Sequence, residues 1–131
     1  MGAWDVTPFG NDDASDMVSD LLEHPNPRDY LAQVLAHAKE TGYLEAPEGS
    51  QMVAAAAIVA AAKNKESVSV PGSAASWIDA NESMLRPLAA TALEAVTRVR
   101  GENSELHELW QESDEFPAWI ANLDRVSAAL R

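Results

Sequence analysis

Carboxylates are the side chains in this chain whose type and spacing could do chemistry. Asp13 and Asp16 lie three residues apart, as do Glu105 and Glu108, and again Glu112 and Glu115. On a helix, pairs at this spacing project from nearly the same side. Hard oxygen ligands offered by facing helices can hold Mg²⁺ or Mn²⁺, and a metal-bound water then supplies a hydrolytic nucleophile. Asp13, Asp16, Glu105 and Glu108 are therefore the candidate metal ligands.

This spacing is the one from which all-helical nucleotide pyrophosphohydrolases build their metal sites, so a divalent-metal-dependent hydrolase of that type is the alternative reading. The simpler reading competes well with it. Among 21 acidic residues, carboxylates three apart recur by chance, and those near helix starts complement the helix dipole. No Lys/Arg cluster accompanies them to bind substrate phosphates. Glu112 and Glu115 straddle a helix break expected at Ser113-Asp114.

Other catalytic chemistries find no constellation. None of His24, His37 and His107 has a second histidine four residues on, the spacing of a helical zinc site. No nucleophile-elbow glycine pattern is present, and Asn11-Asp12-Asp13 lacks the alternating ligands of a calcium loop. Cysteine is absent, which excludes disulfides and thiolate sites and fits a reducing cytoplasm. The leading expectation is a protein with no catalytic residue and no cofactor.

Charge narrows the partners. The net charge of -12 divides as -8 over residues 1–50, +1 over 51–100 and -5 over 101–131. Both acidic ends repel phosphate backbones and no basic stripe offsets them, so neither nucleic acid nor an anionic membrane is expected as a partner. A basic protein would be steered toward such a surface. The start lacks a basic segment followed by an apolar run, so no signal peptide is expected. The longest uncharged apolar run, Met52 to Ala62, falls short of the ~20 residues a membrane span needs.

The elements that must position these groups are helical almost throughout. Ala14, Met17, Val18, Leu21 and Leu22 recur on one face, after an Asn11 cap and two first-turn aspartates. A second helix starts at Asn26-Pro27 and carries Tyr30, Leu31, Val34, Leu35 and Ala38, with Gly42 as its stop. A third, from Pro47 or Ser50 to Lys63, is apolar all round, which predicts a central helix buried among others. Residues 64–72 read as a polar connection. A short helix over Ser73–Ala80 follows, then a longer one begun by Pro87 and ended by Gly101. Asn103 caps a short helix with Leu106, Leu109 and Trp110, and Ser113 or Asp114 caps the last, with Phe116, Trp119, Ile120, Leu123 and Val126 on one side. The expected fold is all-α: one domain over residues 1–131, a bundle of six or seven helices around an Ala-rich centre, with residues 1–10 as a docked arm.

The residues also carry a resemblance. The opening Met1-Gly2-Ala3-Trp4, continued by Pro8-Phe9 and Asn11-Asp12-Asp13-Ala14, resembles the start of the bacterial domain-of-unknown-function family 4259. Tyr43-Leu44-Glu45-Ala46-Pro47 is similar to that family's middle. Asn103-Ser104-Glu105-Leu106, Glu108-Leu109-Trp110 and the Trp119 helix are similar to its end. The family pattern has glycines where this chain has Asp5 and Thr7, which matters if those glycines adopt positive φ. The resemblance implies a small cytoplasmic bacterial protein and brings no catalytic residue.

Together these readings favour a non-enzymatic, acidic protein-binding module, immunity-like or antitoxin-like, that masks a basic partner. Tryptophans are frequent hot spots of such interfaces. Trp110 and Trp119 are expected in the core. Trp4 and Trp77, with Asp12 and Asp20, are the candidate partner-binding residues, and a homodimer is compatible with the Ala-rich helix. Trp4 and Phe9 are expected to be buried against the helices.

Overall fold

The computed structural model describes residues 5–131, so Trp4 and its expected burial lie outside the described residues. Helix α1 spans Asp12–Glu23, with the Asn11 side chain accepting from the Ala14 amide as the cap. Helix α2 spans Pro27–Ala36 and tightens into a 3₁₀ turn at His37–Lys39. Helix α3, Ala46–Lys63, is the longest, and α4 covers Gly72–Ala80. The single turn α5, Glu82–Leu85, runs through a 3₁₀ turn at Arg86–Leu88 into α6, Ala89–Arg100. Helices α7, Glu105–Gln111, and α8, Phe116–Leu130, complete the chain. Seven of these helices exceed one turn, and among the described residues no strand forms.

Every side chain of α3 from Met52 to Ala62 is buried. Over this stretch the helix has no polar face because it has no solvent face: every other helix of the bundle packs on α3, α6 most extensively. Short alanine side chains let neighbouring axes come close. Ala92 and Ala95, both fully buried, do the same from the α6 side. The buried side chains from Ala14 in α1 to Leu130 in α8 form one hydrophobic cluster. Among the described residues no helix is long and apolar enough to cross a membrane.

Several boundaries differ from the periodic reading. Helix α2 ends at Ala36, well before Gly42. Gly42 serves another purpose, holding φ at +97°, a value L side chains rarely adopt. Helix α7 is capped by Ser104, whose fully buried side chain accepts from the His107 amide. Asn103 instead takes φ +57° just before it, a conformation asparagine tolerates through its short polar side chain. Ser113 does not cap α8: its hydroxyl donates to the Trp110 carbonyl and accepts from the Glu115 amide, closing the turn between the last two helices.

The arm over Asp5–Gly10 folds on itself. The Asp5 carboxylate accepts from both the amide and the hydroxyl of Thr7, and the Asp5 amide donates to the Gly10 carbonyl. Thr7 does not have positive φ, so replacing glycine at this position introduces no left-handed strain. The Asp5 side chain occupies the space a Cβ at position 10 would need, which makes Gly10 the residue that accommodates this turn. Pro8 is buried, while Phe9 is half-buried against the core.

Candidate functional site

The middle and the end of the chain meet at one place, where the segment Tyr43–Ala46 lies along the start of α7. The Leu44 amide donates to the Asn103 carbonyl at 2.7 Å, and the Glu105 amide donates to the Leu44 carbonyl at 2.8 Å. These bonds make an isolated parallel bridge between Leu44 and Ser104. The Arg98 guanidinium closes the junction by donating to the carbonyls of Gly42, Glu102 and Asn103 at 2.6, 3.1 and 3.2 Å. A planar fork of fixed donors suits this three-way contact, which a lysine could not reproduce.

Two of the four candidate metal ligands are built into this junction. Glu45 occupies the N-cap position of α3 but makes no side-chain cap bond. Glu105 caps α3 instead, its carboxylate accepting from the Ala46 amide at 2.7 Å. A carboxylate at that position satisfies an orphan donor and complements the helix dipole. Glu108 accepts from the Tyr43 phenol at 2.7 Å. Asp13 and Asp16 belong to α1, where Asp13 is half-buried and Asp16 exposed in the first turns. Among the described residues no group of three or more His, Asp or Glu comes together as a metal site requires. The structure thus joins Glu105 and Glu108 through the Tyr43–Ala46 segment and does not gather the four carboxylates into one cluster.

The partner-binding candidates are dispersed. Trp77 is half-buried and packs on the core, and its carbonyl accepts from the Asn81 side chain. Asp12 and Asp20 are exposed along α1 with Asp16 and Glu23. Among the described residues none of these acids forms an ion pair. Their field reaches α2: burial first, and then the Asp20 charge, push the Tyr30 phenol above its ordinary range. Trp110 and Trp119 are 8% and 4% exposed and stack with ring centroids 6.3 Å apart. His107 lies against Phe116 and Trp119, with its Nδ1 2.7 Å from the Arg100 carbonyl. A carbonyl can only accept, so Nδ1 carries the proton.

Sequence reasoning missed the two residues that stand out. Tyr43, 53% exposed, and Leu109, 40% exposed, are the large hydrophobic side chains left in solvent among the described residues. Leu106 and Trp110, four apart, are the α7 side chains buried in the core, which leaves Leu109 on the outer edge. Leu109 lies four residues from Glu105 and follows Glu108, to which Tyr43 is bonded. Glu45 lies two residues after Tyr43 and Glu112 three after Leu109, both exposed and without an ion pair among the described residues. A signal was available in the sequence: Tyr43 follows Gly42 outside any periodic segment, and Leu109 is set among glutamates.

The electrostatics at Tyr43 can be measured. Its hydrogen bond to Glu108 is the main cause that pushes the phenol up to about 12, with the Glu105 and Glu45 charges adding to it. Because the folded pKa lies above the unfolded value of about 10, the neutral phenol favours the native state. That contribution is fully present below pH 10 and is lost as pH rises from 10 to about 12. Absorbance titration should show the Tyr43 phenolate forming near pH 12, assigned by its loss in Tyr43→Phe. In Glu108→Gln the transition should move down toward 10, and an unmoved transition would remove Glu108 as the cause.

The fold and this junction define a class: an all-helical bundle whose solvent-facing junction combines exposed apolar side chains with carboxylates. Residues 2–122 of the 131 match the family described as Domain of unknown function (DUF4259), and the chain belongs to that family. Comparison with curated proteins and with solved structures gives no match.

Proposed function

We propose that this protein acts by binding a basic protein, as an immunity protein or antitoxin masks its partner, and that it contacts it through the Tyr43–Leu109 junction. One observation carries the reading. The exposed Tyr43, two residues before Glu45, is bonded to Glu108, and the exposed Leu109 lies on the same helix as Glu105 and Glu108, just before Glu112, at a junction tied by hydrogen bonds. Tyrosine contributes large contact area with a polar tip, which makes it an effective interface anchor. The unpaired acids of α1 add to the negative field that steers a cation-rich surface toward the molecule. A hydrolase would need Glu105 and Glu108 for metal, and both are engaged in joining the Tyr43–Ala46 segment to α7.

The test uses a basic amphipathic peptide of alternating lysine and leucine, titrated into isotopically labelled protein. Amide shifts should centre on residues 43–46 and 105–112, and should fade in 1 M salt, where the screening length is about 3 Å. In the double variant Tyr43→Ala/Leu109→Ala the affinity should fall by about 30-fold or more, the effect of losing one interface anchor of ~2 kcal/mol. Shifts spread evenly over the acidic surface, or equal binding by wild type and double variant, would overturn the assignment of the junction. Binding unaffected by salt would count against a basic partner.

A further inference from the structure

Beneath the arm, among the described residues, one buried side-chain polar atom has no hydrogen-bond partner. Ser50, in the second turn of α3, is 2% exposed, and among the described residues its hydroxyl forms no hydrogen bond. Burying a hydroxyl with both its donor and acceptor unused is unfavourable, and such groups in native proteins are normally satisfied by protein or by ordered water. A small cavity of about 20 Å³ adjoins it, lined by Ser50 with Asp5, Thr7 and Asn11 and backed by Trp110 and Trp119. A void of roughly 10–15 Å³ holds one water, provided two to four polar partners surround it.

The lining meets that requirement. Asn11 spends its side-chain oxygen on the Ala14 amide, which leaves its NH₂ group as a donor. Asp5 accepts both Thr7 bonds at one carboxylate oxygen, leaving the second as an acceptor. Ser50 can give or receive. One water can therefore accept from Asn11, donate to Asp5 and exchange a bond with Ser50. A metal ion is a poor fit, because hard cations take six or more oxygens and the cavity holds a single small occupant.

We infer that one water molecule is bound in this cavity as an integral ligand of the fold, bridging Ser50 of α3 to the arm and to the start of α1. The bridge matters because, among the described residues, the hydrogen bonds made by Asp5–Gly10 close within the arm itself. Apolar contacts of Val6, Pro8 and Phe9 hold these residues down, and the water supplies their polar tie to the central helix.

A crystal structure at a resolution that shows ordered solvent tests this directly. Density is expected at ~2.6–3.2 Å from Ser50 Oγ and from a polar atom of Asp5 or Asn11. The same peak should be lost in Ser50→Ala, which preserves helix propensity. In solution, the bound water should give cross-relaxation to the Ser50 and Asn11 amides that disappears in the variant. A dry cavity would overturn the inference. So would the Ser50 hydroxyl turned back onto the Ala46 carbonyl of its own helix, or density with six-fold metal geometry.

Discussion

Replacing Trp119 with alanine should lower the unfolding free energy by about 3–5 kcal/mol, the usual cost of deleting a buried aromatic ring. Native domains hold only about 5–15 kcal/mol in reserve, so this variant should melt roughly 10–20 °C lower or fail to accumulate. The size of the effect follows from the surroundings. Trp119 is 4% exposed and meets Trp110, Phe116 and His107 at ring-centroid distances of 6.3, 6.0 and 6.3 Å. It also lines the cavity next to Ser50. Deleting the indole would merge the new void with that cavity, and a void bounded by three helices and the arm cannot collapse easily. Thermal and urea unfolding measure the loss. A melting temperature within a few degrees of wild type would show that the aromatic cluster contributes little.

The second large effect comes from adding volume. Ala57→Leu should destabilise by about 1–3 kcal/mol, although leucine is nearly as good a helix former as alanine. Ala57 is fully buried on a helix surrounded by the others of the bundle. Three extra carbons there must push a neighbouring helix away or force strained rotamers. Ala90→Leu is the matched control, because Ala90 is exposed on α6 and surface changes usually stay within about ±0.5 kcal/mol. Equal stability of the two variants would refute close packing around α3. A normal melting temperature with doubled mass for Ala57→Leu would instead mean that the helix surface had been diverted into self-association.

Much of the bundle was legible because its determinants are local. The run Ala54 to Ala62 has no polar face, and a helix without one must be enclosed, so its central position followed from composition. Asn11 capped α1 as expected, since cap, acidic first turn and apolar periodicity all fall within a dozen residues. Boundaries failed where a local signal was used for a distant purpose. Gly42 looked like a helix stop, but its positive φ shapes the junction whose carbonyl Arg98 binds from α6. Asn103 looked like a cap, but Ser104 does the capping while Asn103 turns the chain.

The carboxylates show the same division more sharply. Their i, i+3 spacing was real, and it placed Glu105 and Glu108 on one side of α7. What they do depends on partners 59 and 65 residues away, Ala46 and Tyr43, which no local pattern identifies. A metal site and a capping clamp ask for the same residue type at the same spacing, and only the position of the other chain segment separates them.

By itself, then, the sequence determined the helices, their buried faces, the central place of α3 and the acidic character of the surface. Each of these follows from short-range periodicity, capping and charge. Tertiary structure alone decided that Glu105 and Glu108 join the Tyr43–Ala46 segment to α7, that Tyr43 and Leu109 stay in solvent, and that Ser50 lies buried beside a water-sized cavity. These outcomes depend on contacts between distant segments, where packing and hydrogen-bond satisfaction, rather than residue type, determine the role of each side chain.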